Sequence, residues 1–181
     1  MNTKMIVEFI TYLLTSVTTG SKSNSKSQHS PSSPTVSPKA PSLEEIDGYY
    51  IWQKGQKFKL SEHFSTSEMS CKCSYPDCKD QTISKDLIGR LEKVRTEVSQ
   101  PLVITSAFRC SAYQAHLRAS AVNTVVAKKS THEAGDAVDV VPKNRKMEGF
   151  EDICAKQFDS IGTAGTFLHL DIRKGYRRWI Y

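Results

Sequence analysis

The sequence predicts a small, single α+β domain. Helical stripes come early, the clear strands are separated by long connections, and 181 residues suffice for one ordinary domain and little more. Apolar residues make up 38% of the chain, enough for one compact core, and no internal repeat is present. No apolar run approaches the roughly 18 residues that a bilayer requires, so no transmembrane span is expected. The formal charge is +6, but residues 1–42 hold four lysines against one glutamate, which is half of the excess. A concentrated nucleic-acid face on the folded part is therefore not expected, while a polyanionic surface such as a bacterial cell wall stays compatible.

The elements follow in order. Met5 to Val17 is the most apolar stretch, with Lys4 before it and small polar residues after it, as in a short secretory signal. Glu8 interrupts it, and Ile6, Phe9, Ile10, Leu13, Leu14 and Val17 recur at helical spacing. Residues 1–19 thus read as a signal or as an amphipathic N-terminal segment. Nine serines and four prolines between Ser21 and Ser42, without apolar periodicity, make 20–42 a disordered linker. The domain is expected over 43–181.

Within it, Phe58 to Phe64, with Ser67 and Glu68, reads as an extended stretch entering a short turn, and a cysteine loop follows. Ser84 can cap a helix whose apolar stripe is Leu87, Leu91, Val94 and Val98. Pro101 restarts the chain, Leu102 to Thr105 is strand-like, and a second helix runs from Ser111 to about Ala119. After Gly135 a strand turns Val138 and Val140 one way and Ala137 and Asp139 the other, until Pro142 and Asn144 close it. Met147 to Phe158 reads as helical. Phe167 to Ile172 is the last clear strand, with Leu168, Leu170 and Ile172 on one face and His169 and Asp171 on the other.

Five cysteines leave an odd number. Cys71, Cys73 and Cys78 fit disulfide partners in a secreted protein, a structural metal site completed by His63 or Cys110, or free thiols. Cys154, among Phe150, Ile153 and Phe158, reads as a small buried hydrophobe.

The most informative segment is Ser130-Thr-His132-Glu-Ala-Gly135-Asp-Ala-Val-Asp139. An imidazole and a carboxylate at this spacing can meet at a metal if the chain turns at Gly135, where glycine permits positive φ. His169, on the later strand, offers a second imidazole. His, Asp and His leave a fourth position open, the pattern of a catalytic zinc rather than a structural one. Incidental histidines are the competing reading. His29 lies in the linker, His116 sits beside Leu117 in a helix, and His63 adjoins Phe64. Arg109 leaves a strand just before a helix, where its donor fork can hold a carboxylate or phosphate or form a surface ion pair.

The order Ser106-Ala-Phe-Arg109, Tyr113, Ser130-x-His132-x-x-Gly135-x-Ala137-x-Asp139 and His169-x-Asp171 resembles the zinc D-Ala-D-Ala carboxypeptidase family of peptidoglycan peptidases, with related phage endolysins and cell-wall endopeptidases. Leu60-Ser-Glu-His-Phe64, Ser67-Glu68, Cys71-Lys-Cys73, Gly162 to Arg173 and Arg178-Trp179 extend the likeness over about residues 57–179. The resemblance implies a central antiparallel sheet carrying a zinc site, flanked by helices. It implies His132, Asp139 and His169 as zinc ligands. Arg109 would bind a substrate carboxylate or steady the oxyanion. The substrate would be a peptide stem or crosslink of peptidoglycan, the location secreted, periplasmic or cell-wall-associated, or that of a phage lysis protein, and the chain a monomer.

One position departs. Several relatives carry an acidic general base three residues before the last histidine, where this chain has Thr166. Asp171, on the face of His169, is the nearest replacement; its competing role is to orient a ligand or Arg109. Glu133 and Asp136 are further candidates. A non-catalytic, metal-containing wall-binding domain remains an alternative, as does a structural or DNA-associated protein whose cysteines hold the metal.

Overall fold

The computed structural model describes residues 40–121, 126–127 and 129–181. The chain divides into two units, Met1–Pro38 and Lys39–Tyr181, and every described residue belongs to the second. The signal or amphipathic segment at 1–19, His29 and the linker as far as residue 39 lie outside the described residues.

The described elements are β1 (Glu44–Ile46), β2 (Tyr49–Gln53), α1 (Thr66–Met69), β3 (Asp80–Ser84), α2 (Lys85–Val98), β4 (Leu102–Ser106), α3 (Ser111–Ser120), a 3-10 turn (Thr131–Ala134), β5 (Ala137–Pro142), α4 (Phe150–Ala155), β6 (Ser160–Ala164), β7 (Phe167–Asp171) and β8 (Arg177–Ile180). They form a small α+β domain with two sheets. One has three strands in the order β1-β2-β3, all antiparallel. The other has five, in the order β4-β5-β7-β6-β8.

The four strands β4-β5-β7-β6 of the larger sheet pair antiparallel, as expected, and the fifth makes the sheet mixed. β8 runs parallel to β6, with Arg177 and Asp171 both opposite Ser160. β7 ends at the end of the sheet where β6 began. A short connection keeps the chain there, so β8 must leave in the direction of β6.

Helix α2 forms where the stripe predicts it. The Ser84 hydroxyl accepts from the Leu87 N–H at 3.4 Å, and Ser99 ends the helix in the left-handed region at φ 53°. Leu87, Ile88, Leu91 and Val94 are buried. They join Val138 and Val140 of β5 and Leu168 and Leu170 of β7 in one core. The opposite face of β5 and β7 is thereby left to the polar residues between them, Asp139, His169 and Asp171. Helix α4 is shorter than the expected Met147 to Phe158, because Gly149 enters it at φ 68° and the chain leaves helix at Lys156. Cys154 is fully buried in the core, and burial pushes its thiol up to about 12.

Candidate metal centre

Three elements bring His132, Asp139 and His169 together. Asp139 on β5 and His169 on β7 are direct cross-strand partners, so their side chains start about 5 Å apart on one face. His132 arrives from the 3-10 turn. A reciprocal cap fixes that turn: the Ser130 hydroxyl accepts from the His132 N–H at 3.4 Å, and the Glu133 carboxylate accepts from the Ser130 N–H at 3.2 Å. Gly135 then reverses the chain at φ 76° and feeds β5. The Arg109 N–H donates to the His132 carbonyl at 3.1 Å, which ties the turn to the end of β4.

The donor atoms form a nearly equilateral triangle. His132 Nε2 lies 3.2 Å from Asp139 Oδ1 and 3.1 Å from His169 Nδ1, and His169 Nδ1 lies 3.0 Å from Asp139 Oδ1. Ligands about 2.0–2.1 Å from a tetrahedral zinc stand roughly 3.3 Å apart, so the set fits such an ion. Hydrogen bonding also aims the lone pairs. His132 Nδ1 lies 2.7 Å from the Ala107 carbonyl, which can only accept, so the neutral ring presents its Nε2 lone pair to the triangle. Burial holds the His132 pKa below the ordinary imidazole value, which favours that neutral ring. His169 Nε2 faces the Asp171 carboxylate at 3.3 Å, which leaves Nδ1 for the triangle. Burial opposes protonation of His169, but hydrogen bonds to Asp139 and Asp171 raise its pKa. Burial would also raise Asp139, yet both imidazoles and the Arg109 charge hold it well below the usual carboxylate range. A proton on His169 therefore competes with any cation for this site.

Arg109 stands at the triangle's edge rather than on the outer surface. Its Nη2 pairs with Asp139 Oδ2, its Nε donates to Ser106 Oγ at 2.8 Å, and its Nη1 reaches Gln114 Oε1 at 3.5 Å. Asp171 shares the face of His169, as its register predicts, but its carboxylate is not open to the triangle. It is fully buried and receives Ser160 Oγ at 2.9 Å, Arg173 Nη2 at 2.7 Å and the Arg173 backbone N–H at 2.9 Å. Burial would raise its pKa, but His169 and Arg173 hold it well below the usual carboxylate range. Thr166 is exposed in the turn between β6 and β7. Glu133 is engaged in its cap, and Asp136 accepts from the Tyr49 hydroxyl at 2.8 Å.

Two cavities flank the triangle. A cleft of about 810 Å³ beside His169 is walled by Ser130, Thr131, Arg173, Tyr176, Trp179 and Tyr181, with Lys129, Arg177 and Arg178 adding positive charge. A second of about 290 Å³ reaches Arg109 and Asp139, walled by Gln114, Phe167 and Tyr181. The Trp179 ring lies 5.4 Å from that of His169 and Tyr181's lies 6.3 Å away. Sequence reasoning missed Tyr181, Gln114 and Arg173. The signal for Arg173 was its place two residues beyond Asp171. Trp179 depends on Gly162 across β6 and β8: any Cβ there would overlap the indole.

The two candidate fourth ligands for the cysteine loop separate. Cys110 joins Cys71, Cys73 and Cys78. His63 instead pairs with Glu92, Nδ1 to Oε2 at 2.7 Å. His116 is exposed and stacks on Tyr113. Among the described residues no helix is long and apolar enough to cross a membrane.

No curated protein and no solved structure matches the chain. The Peptidase M15 family model matches residues 62–171, more than half of the chain, and that span contains Arg109 and all three residues of the triangle. With a His/Asp/His cluster able to coordinate a metal ion inside the matched span, the chain belongs to the Peptidase M15 family.

Proposed function

We propose that this protein is a zinc-dependent peptidase that hydrolyses peptide bonds in the stems or crosslinks of bacterial peptidoglycan, and that it works where that polymer is. The observation that carries the reading is the convergence of His132 Nε2, His169 Nδ1 and Asp139 Oδ1 at the edge of a cleft with a cationic wall. Peptide stems end in carboxylates, which such a wall attracts. Zinc bound there would supply a Lewis acid and bring the pKa of a bound water to roughly 7.

The chain's own residues do the rest. His132, Asp139 and His169 hold the ion. Arg109, anchored by Ser106 and Asp139, keeps its guanidinium in the wall of the smaller cavity, where it steadies a substrate carboxylate or the developing oxyanion. Arg109→Lys keeps the charge and loses the planar fork. The expected result is retained fold and retained metal with hydrolysis at least about tenfold slower; unchanged turnover would place Arg109 outside the substrate's reach.

Asp171 we assign to holding the His169 ring rather than to taking the water's proton. Its burial and its contacts with Ser160 and Arg173 support that role. Asp171→Asn is expected to weaken zinc binding by roughly 10–100-fold. Activity should recover at saturating zinc, with the acidic limb of the pH–rate profile in place. Normal zinc affinity with a rate loss of roughly 10²–10⁴ would make Asp171 the base instead. Because its folded pKa lies below the unfolded value of about 3.9, the ionised group stabilises the fold above that pH and this contribution is lost as pH falls further. The variant's stability should therefore fall less steeply in acid.

The deciding experiment is digestion of purified peptidoglycan by the zinc-loaded protein, with mass analysis of the released fragments. Fragments shortened at a stem or crosslink peptide bond are expected, and their masses locate the bond. Tight binding to the polymer without any released fragment would overturn the peptidase reading in favour of a wall-binding module.

A further inference from the structure

Away from the peptidase site, four cysteine sulfurs converge. Cys71, Cys73 and Cys78 come from the loop between α1 and β3, and Cys110 immediately precedes α3. All four sulfurs lie within 4.8 Å of one another, and no pair is bonded. Cys73 Sγ and Cys110 Sγ are 3.7 Å apart. A disulfide needs about 2.05 Å; thiolates about 2.3 Å from a tetrahedral zinc stand roughly 3.8 Å apart. Hydrogen-bond donors reach three of the four sulfurs. The Cys110 N–H donates to Cys71 Sγ at 3.4 Å, the Gln81 amide to Cys78 Sγ at 3.5 Å and the Lys54 ammonium to Cys73 Sγ at 3.4 Å. Cys71 and Cys78 are buried and pack with Phe108.

We propose that Cys71, Cys73, Cys78 and Cys110 hold a second, structural zinc ion, separate from the one at the His/Asp/His triangle. Four protein ligands close the coordination shell and leave no position for a reacting water. Binding releases the thiol protons, and the Lys54 ammonium offsets part of the resulting negative charge. The site joins two segments far apart in sequence. The Phe108 N–H donates to the Met69 carbonyl at 3.1 Å and the Arg109 N–H to the His132 carbonyl at 3.1 Å. A metal at Cys110 therefore pins the backbone on which Arg109 is mounted.

Metal analysis of the full chain purified with a thiol reductant tests this. The wild type is expected to hold two zinc ions, and the His132→Ala/His169→Ala variant one. Cobalt loaded into that double variant should give a sulfur-to-cobalt charge-transfer band in the near ultraviolet and intense absorption in the red. Its cysteines other than Cys154 should resist alkylation until a chelator is added. Cys71→Ser/Cys78→Ser should lose the band; if that variant fails to fold, the cobalt spectrum with native cysteines decides. A double variant without metal and with reactive thiols overturns the proposal. So does a chain whose mass, measured without reductant, is lower by two hydrogens for each of two disulfides. Because the double variant lacks the peptidase ligands, its result stands apart from the outcome of the peptidoglycan digest.

Discussion

His132→Ala should remove the metal from the His/Asp/His triangle and with it all measurable peptidoglycan hydrolysis. The ring does two things at once. Its Nε2 is one of three donors, and its Nδ1 bond to the Ala107 carbonyl at 2.7 Å aims that donor. Alanine leaves one imidazole and one carboxylate, too few for a stable zinc site with an open position. Removing a group behind a ligand weakens binding by roughly 10–100-fold, and removing the ligand itself must exceed that. His169→Ala should behave alike. Zinc retained after dialysis and peptide fragments released per unit time are the two measurements. Cysteine-bound zinc is counted separately in a chain that also lacks Cys71, Cys73 and Cys78. Full metal retention at the triangle in either variant would reject the ligand assignment.

Gly135→Ala is expected to be the most damaging small substitution for folding. Gly135 sits at φ 76°, and a Cβ would stand 2.7 Å from the Thr82 carbonyl oxygen and 3.0 Å from the Ile83 Cα. Those neighbours are backbone atoms of β3, and the Gly135 carbonyl accepts from the Ser84 N–H at 2.9 Å. Relief therefore requires moving a strand. The left-handed conformation alone costs a side-chain-bearing residue about 1–2 kcal/mol, and the clash brings the expected loss to about 3 kcal/mol or more. The same turn sets the spacing of His132 and Asp139, so zinc affinity should fall with stability. Denaturant unfolding of both proteins, metal-free, measures the first effect. A difference below about 1 kcal/mol would show that β3 yields easily.

Much of this was legible because local pattern and tertiary structure agree. Alternation along Phe167 to Asp171 sorts Leu168 and Leu170 from His169 and Asp171, and the core accepts that sorting. Glycine at 135 announces the turn. Other elements were silent for physical reasons. β6, Ser-Ile-Gly-Thr-Ala, carries its glycine for the sake of Trp179, a partner many residues away. β8 is half arginine and is a strand only because β6 offers it an edge. The β1–β2 hairpin did carry a signal, Asp47-Gly48 with both residues at positive φ, the composition that a two-residue hairpin turn demands. Asp171 shows the limit of face arguments. Alternation gives the side of the sheet, but Arg173 and Ser160, from the strand exit and from β6, decide where the carboxylate points.

Those ion pairs also fix the charge balance of the pocket. Asp139 is matched by Arg109, and Asp171 by Arg173. Two negative and two positive groups cancel, so the polypeptide closes around this face without an unbalanced buried charge. Any divalent cation between the three donors is then a surplus of two charges in a poorly screened wall. Such a surplus reaches further into the cleft than an equal charge spread over the surface. The pocket would draw anions more strongly once loaded, which favours an order of arrival: ion first, acidic peptide second.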